Sequence, residues 1–113
     1  MHEYPITKQI IEIASLYAKD NNSDEVKVIN LVVGDYSGYV ISSINLYFEI
    51  IANDSLCKNA KLKIKRIKPK LKCNHCGKLF IRKPFSFDCP SCSIGQGEPT
   101  QIGREFYIKS IEI

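Results

Sequence analysis

Apolar residues change their period several times along this chain, and each change predicts an element. Ile6, Ile10, Ile13, Ala14 and Tyr17 recur at helical spacing, which predicts an amphipathic helix over residues 6–18. Pro5 suits the first helical turn, where a missing N–H is no loss, and Asn21-Asn22-Ser23 supplies turn-prone residues at the other end. A helix beginning this early sets the amino terminus against folded structure. Residues 26–33 are β-branched and almost continuously apolar, the pattern of a well-buried strand, after which Gly34-Asp35-Tyr36-Ser37-Gly38 turns the chain. A second helix is expected over residues 42–52, with Val40, Ile44, Tyr47, Phe48 and Ile51 on one face, its aromatics packing the core.

Asn53-Asp54-Ser55 ends that helix. Residues 61–68 then alternate Lys with Leu62 and Ile64, the period of a half-buried strand. The phase slips at Arg66, and apolar residues move to Ile67, Pro69 and Leu71, which predicts a bulge or the exit from the sheet. From Arg104 the run Glu-Phe-Tyr-Ile-Lys-Ser-Ile-Glu-Ile reads as a last strand returning to the first sheet.

Between the last two strands lie Cys73-Asn74-His75-Cys76 and Cys89-Pro90-Ser91-Cys92, a C-x2-C-x12-C-x2-C pattern. Each pair can form a knuckle whose two sulfurs bite one ion, and together they make a closed tetrahedral S4 shell suited to structural Zn(II). Phe80, Phe85 and Phe87 are available to pack a small core around it. A closed site of this kind has no open position for chemistry. The predicted fold is therefore α+β: two helices packed on a small three-stranded sheet, with an inserted zinc-ribbon-like domain. Residues 1–69 plus 99–113 form the first domain and residues 70–98 the second.

With 113 residues, the chain has room for one modest core and a satellite that needs a metal staple. No apolar run approaches the roughly 20 residues of a membrane span, and the basic-then-apolar layout of a signal peptide is missing. A cytoplasmic, reducing compartment agrees with four cysteines on metal and a fifth, Cys57, acting as a small buried apolar residue. The net charge of +4 conceals an asymmetry: residues 58–83 carry eleven basic and no acidic residues, against five basic and twelve acidic elsewhere. Seven of these cations fall in residues 61–72 beside the zinc ribbon, so a nucleic-acid-binding module is the alternative reading. Against it, strand alternation places lysines outward merely to keep an edge soluble, and the acidic remainder repels phosphate.

Catalysis finds little support. His2 and His75 are the only histidines, no nucleophile–base arrangement stands out, and Gly34 to Gly38 lacks the lysine and spacing of a phosphate loop. Glu105 and Glu112 read as solvated strand positions. His2 is more pointed. A bulky second residue protects the initiator methionine, which keeps the amine of Met1 beside the His2 imidazole and the amides of His2 and Glu3. Nitrogen donors disposed in a plane are what Ni(II) or Cu(II) prefers.

Taken together, Met1-His2-Glu3-Tyr4, Gly34-Asp35-Tyr36-Ser37-Gly38, Ser43 to Glu49, the four-cysteine cluster and Gly103-Arg104-Glu105-Phe106-Tyr107-Ile108 resemble the HypA/HybF family from end to end. The resemblance implies a metallochaperone, not an enzyme, that binds transferable Ni(II) and delivers it for hydrogenase maturation. Its partners would be a HypB-type GTPase and the [NiFe]-hydrogenase large-subunit precursor, with urease as recipient in some bacteria; a homodimer is compatible with it. Carried over by position, Met1 supplies its amine, His2 its imidazole and amide, and Glu3 an amide, while the Glu3 carboxylate influences the site. Cys73, Cys76, Cys89 and Cys92 hold zinc. Some members bring a second histidine from the zinc module to nickel; here that module's only histidine is His75, inside the first knuckle, which reads as a surface or supporting residue rather than a ligand.

Overall fold

The computed structural model describes residues 2–113. Helix α1 spans Glu3–Asp20, strand β1 Val28–Gly34, helix α2 Ile41–Ile51 and strand β2 Lys61–Ile67. Three short strands follow, β3 Leu71–Cys73, β4 Leu79–Phe80 and β5 Gly97–Pro99, before β6 Phe106–Glu112 closes the chain. Two three-stranded sheets result, in the orders β2-β1-β6 and β4-β3-β5. The two-helix α+β architecture is the one expected.

The nearly continuous apolar run becomes the central strand, parallel to β2 and antiparallel to β6. Ile29, Leu31 and Val33 alternate onto one face, all at most 1% exposed, and pack with Ile10, Ile11, Ala14, Ile44 and Phe48 of the helices. Val32 is buried as well, although it points to the opposite face. The edge strand β2 keeps Lys61, Lys63 and Lys65 in solvent, a charged row that discourages further strand pairing.

The structure corrects several details. Helix α1 begins at Glu3, three residues before Ile6, so Pro5 lies within its first turn. Its buried face is Glu3, Thr7, Ile10, Ile11, Ala14 and Ala18, while Ile13 and Tyr17 are 53% and 44% exposed. Both apolar faces were consistent with helical spacing, and the sheet selected the one with small residues, where Ala14 and Ala18 let the backbone approach. Near Arg66 no bulge forms; β2 keeps an unbroken register with β1 and simply ends at Ile67. The irregularity lies instead opposite Asn30 and Leu31, where β6 carries one extra residue at Lys109. That extra residue allows Ile108 and Ile111, three apart, to face the same core.

The second module also packs differently. Its interior consists of Phe80, Cys73 and Cys89, with Leu71 and Cys92 against them. Phe85 and Phe87, expected inside, are 100% and 48% exposed. The metal cluster occupies the space a larger aromatic core would need. Among the described residues, no helix is long and apolar enough to cross a membrane.

Candidate metal centres

The first centre forms where α1 begins. The His2 ring lies against Tyr39, with centroids 5.2 Å apart, and Tyr39 in turn packs on Phe106 at 4.5 Å. His2 Nε2 lies 2.6 Å from the carbonyl oxygen of Gly38. A carbonyl only accepts, so Nε2 carries the hydrogen, and in the neutral ring Nδ1 is the nitrogen with the lone pair. Such a backbone partner fixes both tautomer and ring orientation in metal-binding histidines. Glu3 is buried; its carboxylate accepts the N–H of Val40 at 3.0 Å and lies 3.6 Å from His2 Nε2. Val40 is the residue from which α2 starts, so this negative charge also sits at the positive end of that helix. Met1, expected to contribute its amine, is outside the described residues.

The seat for His2 is the turn after β1, a motif whose contact with His2 no local pattern displays. It is held from the far end of the chain. Gly34 N–H donates to the carbonyl of Glu105 and Tyr36 N–H to that of Gly103, both at 2.7 Å, while Glu105 Oε1 accepts the Gly103 N–H. A Cβ at Gly34 would run into the backbone of Gly103, and Gly103 itself has φ +103 and faces Pro69. The two glycine-bearing motifs, sixty-nine positions apart, are therefore one contact surface. Arg66 adds a two-pronged ion pair to Asp35, 2.5 Å from Nε and 3.2 Å from Nη2, which raises the guanidinium pKa further.

The second centre is the cysteine cluster. The Sγ atoms of Cys73, Cys76, Cys89 and Cys92 all lie within 4.8 Å of one another, and among the described residues this is the one such group. Both knuckles share a construction. Gly77 N–H donates to the Cys73 carbonyl and Ser93 N–H to the Cys89 carbonyl, each at 3.1 Å. The residue after each second cysteine, Gly77 or Ser93, takes a left-handed backbone, with φ +77 and +59. Backbone N–H groups of Cys76 and His75 point at Cys73 Sγ, and Gly95 N–H at Cys92 Sγ, each 3.4 Å away.

These donors favour thiolate. The Cys76 N–H, followed by that of His75, holds the Cys73 thiol down at about 6, and the Gly95 N–H lowers Cys92. At Cys76 the Lys78 N–H acts in the same direction, but desolvation and the three neighbouring sulfurs prevail and push it up to about 11. Four sulfurs this close cannot all ionise without a cation among them, and a closed S4 donor set suits structural Zn(II). The His75 side chain is exposed and outside the cluster. Cys57 is fully buried, its Sγ 3.9 Å from the Ile11 carbonyl, and burial raises its thiol pKa, as a packing residue requires.

Gly95 is the tightest point of the cluster, since a Cβ there would strike Cys73 Sγ and approach His75 Cβ at 2.7 Å. Gly95→Ala is expected to weaken zinc binding by roughly 10–100-fold, the range for disturbing the shell around a metal site. Competition against a chromophoric chelator measures it.

Comparison with known proteins identifies a family over the whole chain. The family profile described as "Hydrogenase/urease nickel incorporation, metallochaperone, hypA" matches residues 1–113. The hydrogenase maturation factor HypA of Dehalococcoides mccartyi is 34% identical over 113 residues, covering all of this chain and 94% of that protein. The HypA of Caldanaerobacter subterraneus subsp. tengcongensis is 33% identical over all of this chain and 99% of its own length. Among solved structures, the nickel metallochaperone HypA of Helicobacter pylori superposes with a TM-score of 0.63 at 27% identity, covering 98% of this chain and 96% of the other. This full-length agreement outweighs the nucleic-acid alternative, and the chain belongs to the HypA family of nickel-incorporation metallochaperones.

Proposed function

We propose that this chain binds Ni(II) as cargo at Met1, His2 and Glu3 and passes it, together with a HypB-type GTPase, to the precursor of a [NiFe]-hydrogenase large subunit in the cytoplasm. Urease is a second recipient compatible with the family's scope. Cys73, Cys76, Cys89 and Cys92 hold Zn(II) as a resident, structural ion. The observation that carries the nickel reading is the hydrogen bond between His2 Nε2 and the Gly38 carbonyl. It leaves Nδ1 as the metal-binding nitrogen. Nδ1 is also the ring nitrogen that closes a six-membered chelate with the residue's own amide, whereas Nε2 lies too far round the ring. The amine of Met1, the amides of His2 and Glu3, and Nδ1 then offer nitrogen donors of the kind Ni(II) takes in a plane.

Transfer needs a site that can be opened by an incoming ligand. The His2 side chain is 67% exposed, which leaves the metal's surroundings accessible to a partner. Glu3, by contrast, is 4% exposed and bound to Val40, so its carboxylate anchors the terminus.

Proton competition tests this reading. The free α-amine has a reference pKa of about 7.7–8.0 and imidazole about 6.5, and nickel displaces protons from both and from amide nitrogen. Lower pH therefore opposes binding, by roughly tenfold per pH unit for each displaced proton. Nickel calorimetry is expected to show an affinity drop of more than about a hundredfold from pH 8 to pH 6. Thiolate-bound zinc stays in place over that interval. Equal nickel affinity at the two pH values would exclude the assignment.

A further inference from the structure

Where the two sheets meet, the chain forms a cleft of about 590 Å3, within the size range of ligand sites. Its walls come from the connector at residues 68–71, the loop at 81–87 and the return segment at 99–104. Lys68, Lys70, Arg82, Lys83 and Arg104 line it, and its one acid, Asp35, is committed to Arg66. Among the described residues none of the five cations forms an ion pair. Concave walls of one sign concentrate the field and select an anionic occupant. Between these charges the surface is apolar, with Leu71, Ile81, Pro99 and Ile102 exposed to the cleft and Arg82 stacked 4.6 Å over the Phe87 ring. The walls are tied together beforehand, by β3–β5 pairing and by Thr100 Oγ1 donating to the Lys70 carbonyl at 2.7 Å.

The loop adds a second feature. Phe85, at its tip, is wholly exposed and has φ +60, a left-handed backbone that is costly for an aromatic L-residue. Neither packing nor zinc binding uses it. Aromatic residues are enriched in protein contacts, and this one stands on the loop that walls the charged cleft.

We propose that this inter-sheet cleft docks an acidic peptide segment of a partner protein, its carboxylates on Lys68, Lys70, Lys83 and Arg104 and an apolar side chain against Ile81 and Phe87. Charge complementarity identifies the occupant, and its shortness follows from the size of the cleft. A cleft of about 590 Å3 takes only a short segment. The apolar floor also rewards a side chain such as Leu or Phe, which a phosphodiester lacks. This surface is separate from the nickel donors and does not depend on them.

The zinc-loaded full chain is tested on an array of hexapeptides with alternating Asp or Glu and one apolar residue, beside matched Asn and Gln peptides. A fluorescent single-stranded oligonucleotide is titrated in parallel. The acidic peptides should retain the protein at least about tenfold better than the amide peptides, and Lys70→Glu/Lys83→Glu should abolish that difference. Lys19→Glu, on α1, should leave it intact. Lys68→Gln/Lys83→Gln, which removes charge without reversing it, should weaken retention in the same direction and guards against a folding defect in the reversed pair. Equal retention on amide peptides, undiminished retention by both double variants, or tighter binding of the oligonucleotide than of any acidic peptide each overturns the proposal.

Discussion

A chain carrying two extra residues ahead of Met1 is expected to lose the single-site nickel isotherm of the native protein. Extension converts the α-amine into a secondary amide, which donates only after losing a proton far less acidic than that of an ammonium, and so weakens one end of the chelate. It also moves His2 from the second to the fourth position, which breaks the sequence of fused rings joining amine, amide and imidazole. Loss of a direct donor should exceed the roughly 10–100-fold that removing an outer partner of a metal ligand costs. His2→Ala should abolish binding as well, because Nδ1 disappears while the amine remains. Zinc content and far-UV circular dichroism should be unchanged in both, since His2 is exposed and lies outside the core. Calorimetry on the three proteins checks this directly, and an unaltered isotherm after extension would remove the Met1 amine from the site.

Much of this fold was readable because its signals are local. The run Val-Ile-Asn-Leu-Val-Val announces a buried strand whatever surrounds it, and the paired Cys-x-x-Cys knuckles bring their sulfurs together through turns of a few residues. What the sequence concealed depends on contacts between distant segments. Which of two apolar stripes of α1 turns inward is decided by the sheet, where Ala14 and Ala18 permit close approach and the bulkier Ile13 and Tyr17 do not. The seat of His2 was hidden for the same reason. Gly38 and Val40 lie 36 and 37 residues from their partners His2 and Glu3, and although Gly34-Asp35-Tyr36-Ser37-Gly38 carries part of the family resemblance, nothing in it points to His2 as its partner. One signal was available: the last segment has apolar residues at Phe106 and Ile108, then at Ile111 and, just past β6, Ile113, a change of phase that requires the bulge at Lys109.

Removal of zinc is expected to unfold the second sheet and spare the first. The inserted module has strands of three, two and three residues, and its interior is one phenylalanine and two cysteines, with Leu71 and Cys92 beside them. So small a unit cannot bury enough apolar surface to fold unaided, whereas a structural zinc contributes on the order of 10–16 kcal/mol. The first domain has a core of twelve buried residues that owes nothing to the metal. After chelation, or in Cys89→Ala, amides paired between β3 and β5, such as Cys73 and Gly97, should exchange freely, while those of Ile29, Leu31 and Val33 stay protected. Helical circular dichroism should persist. Nickel binding should survive too, because the partners of His2 belong to the first domain: Gly38 and Tyr39 follow β1, Phe106 lies in β6, and Gly103 meets Gly34 beyond the module's return. Loss of both sheets in one cooperative transition would instead mean that the return segment cannot find Gly34 unless zinc first closes the insertion.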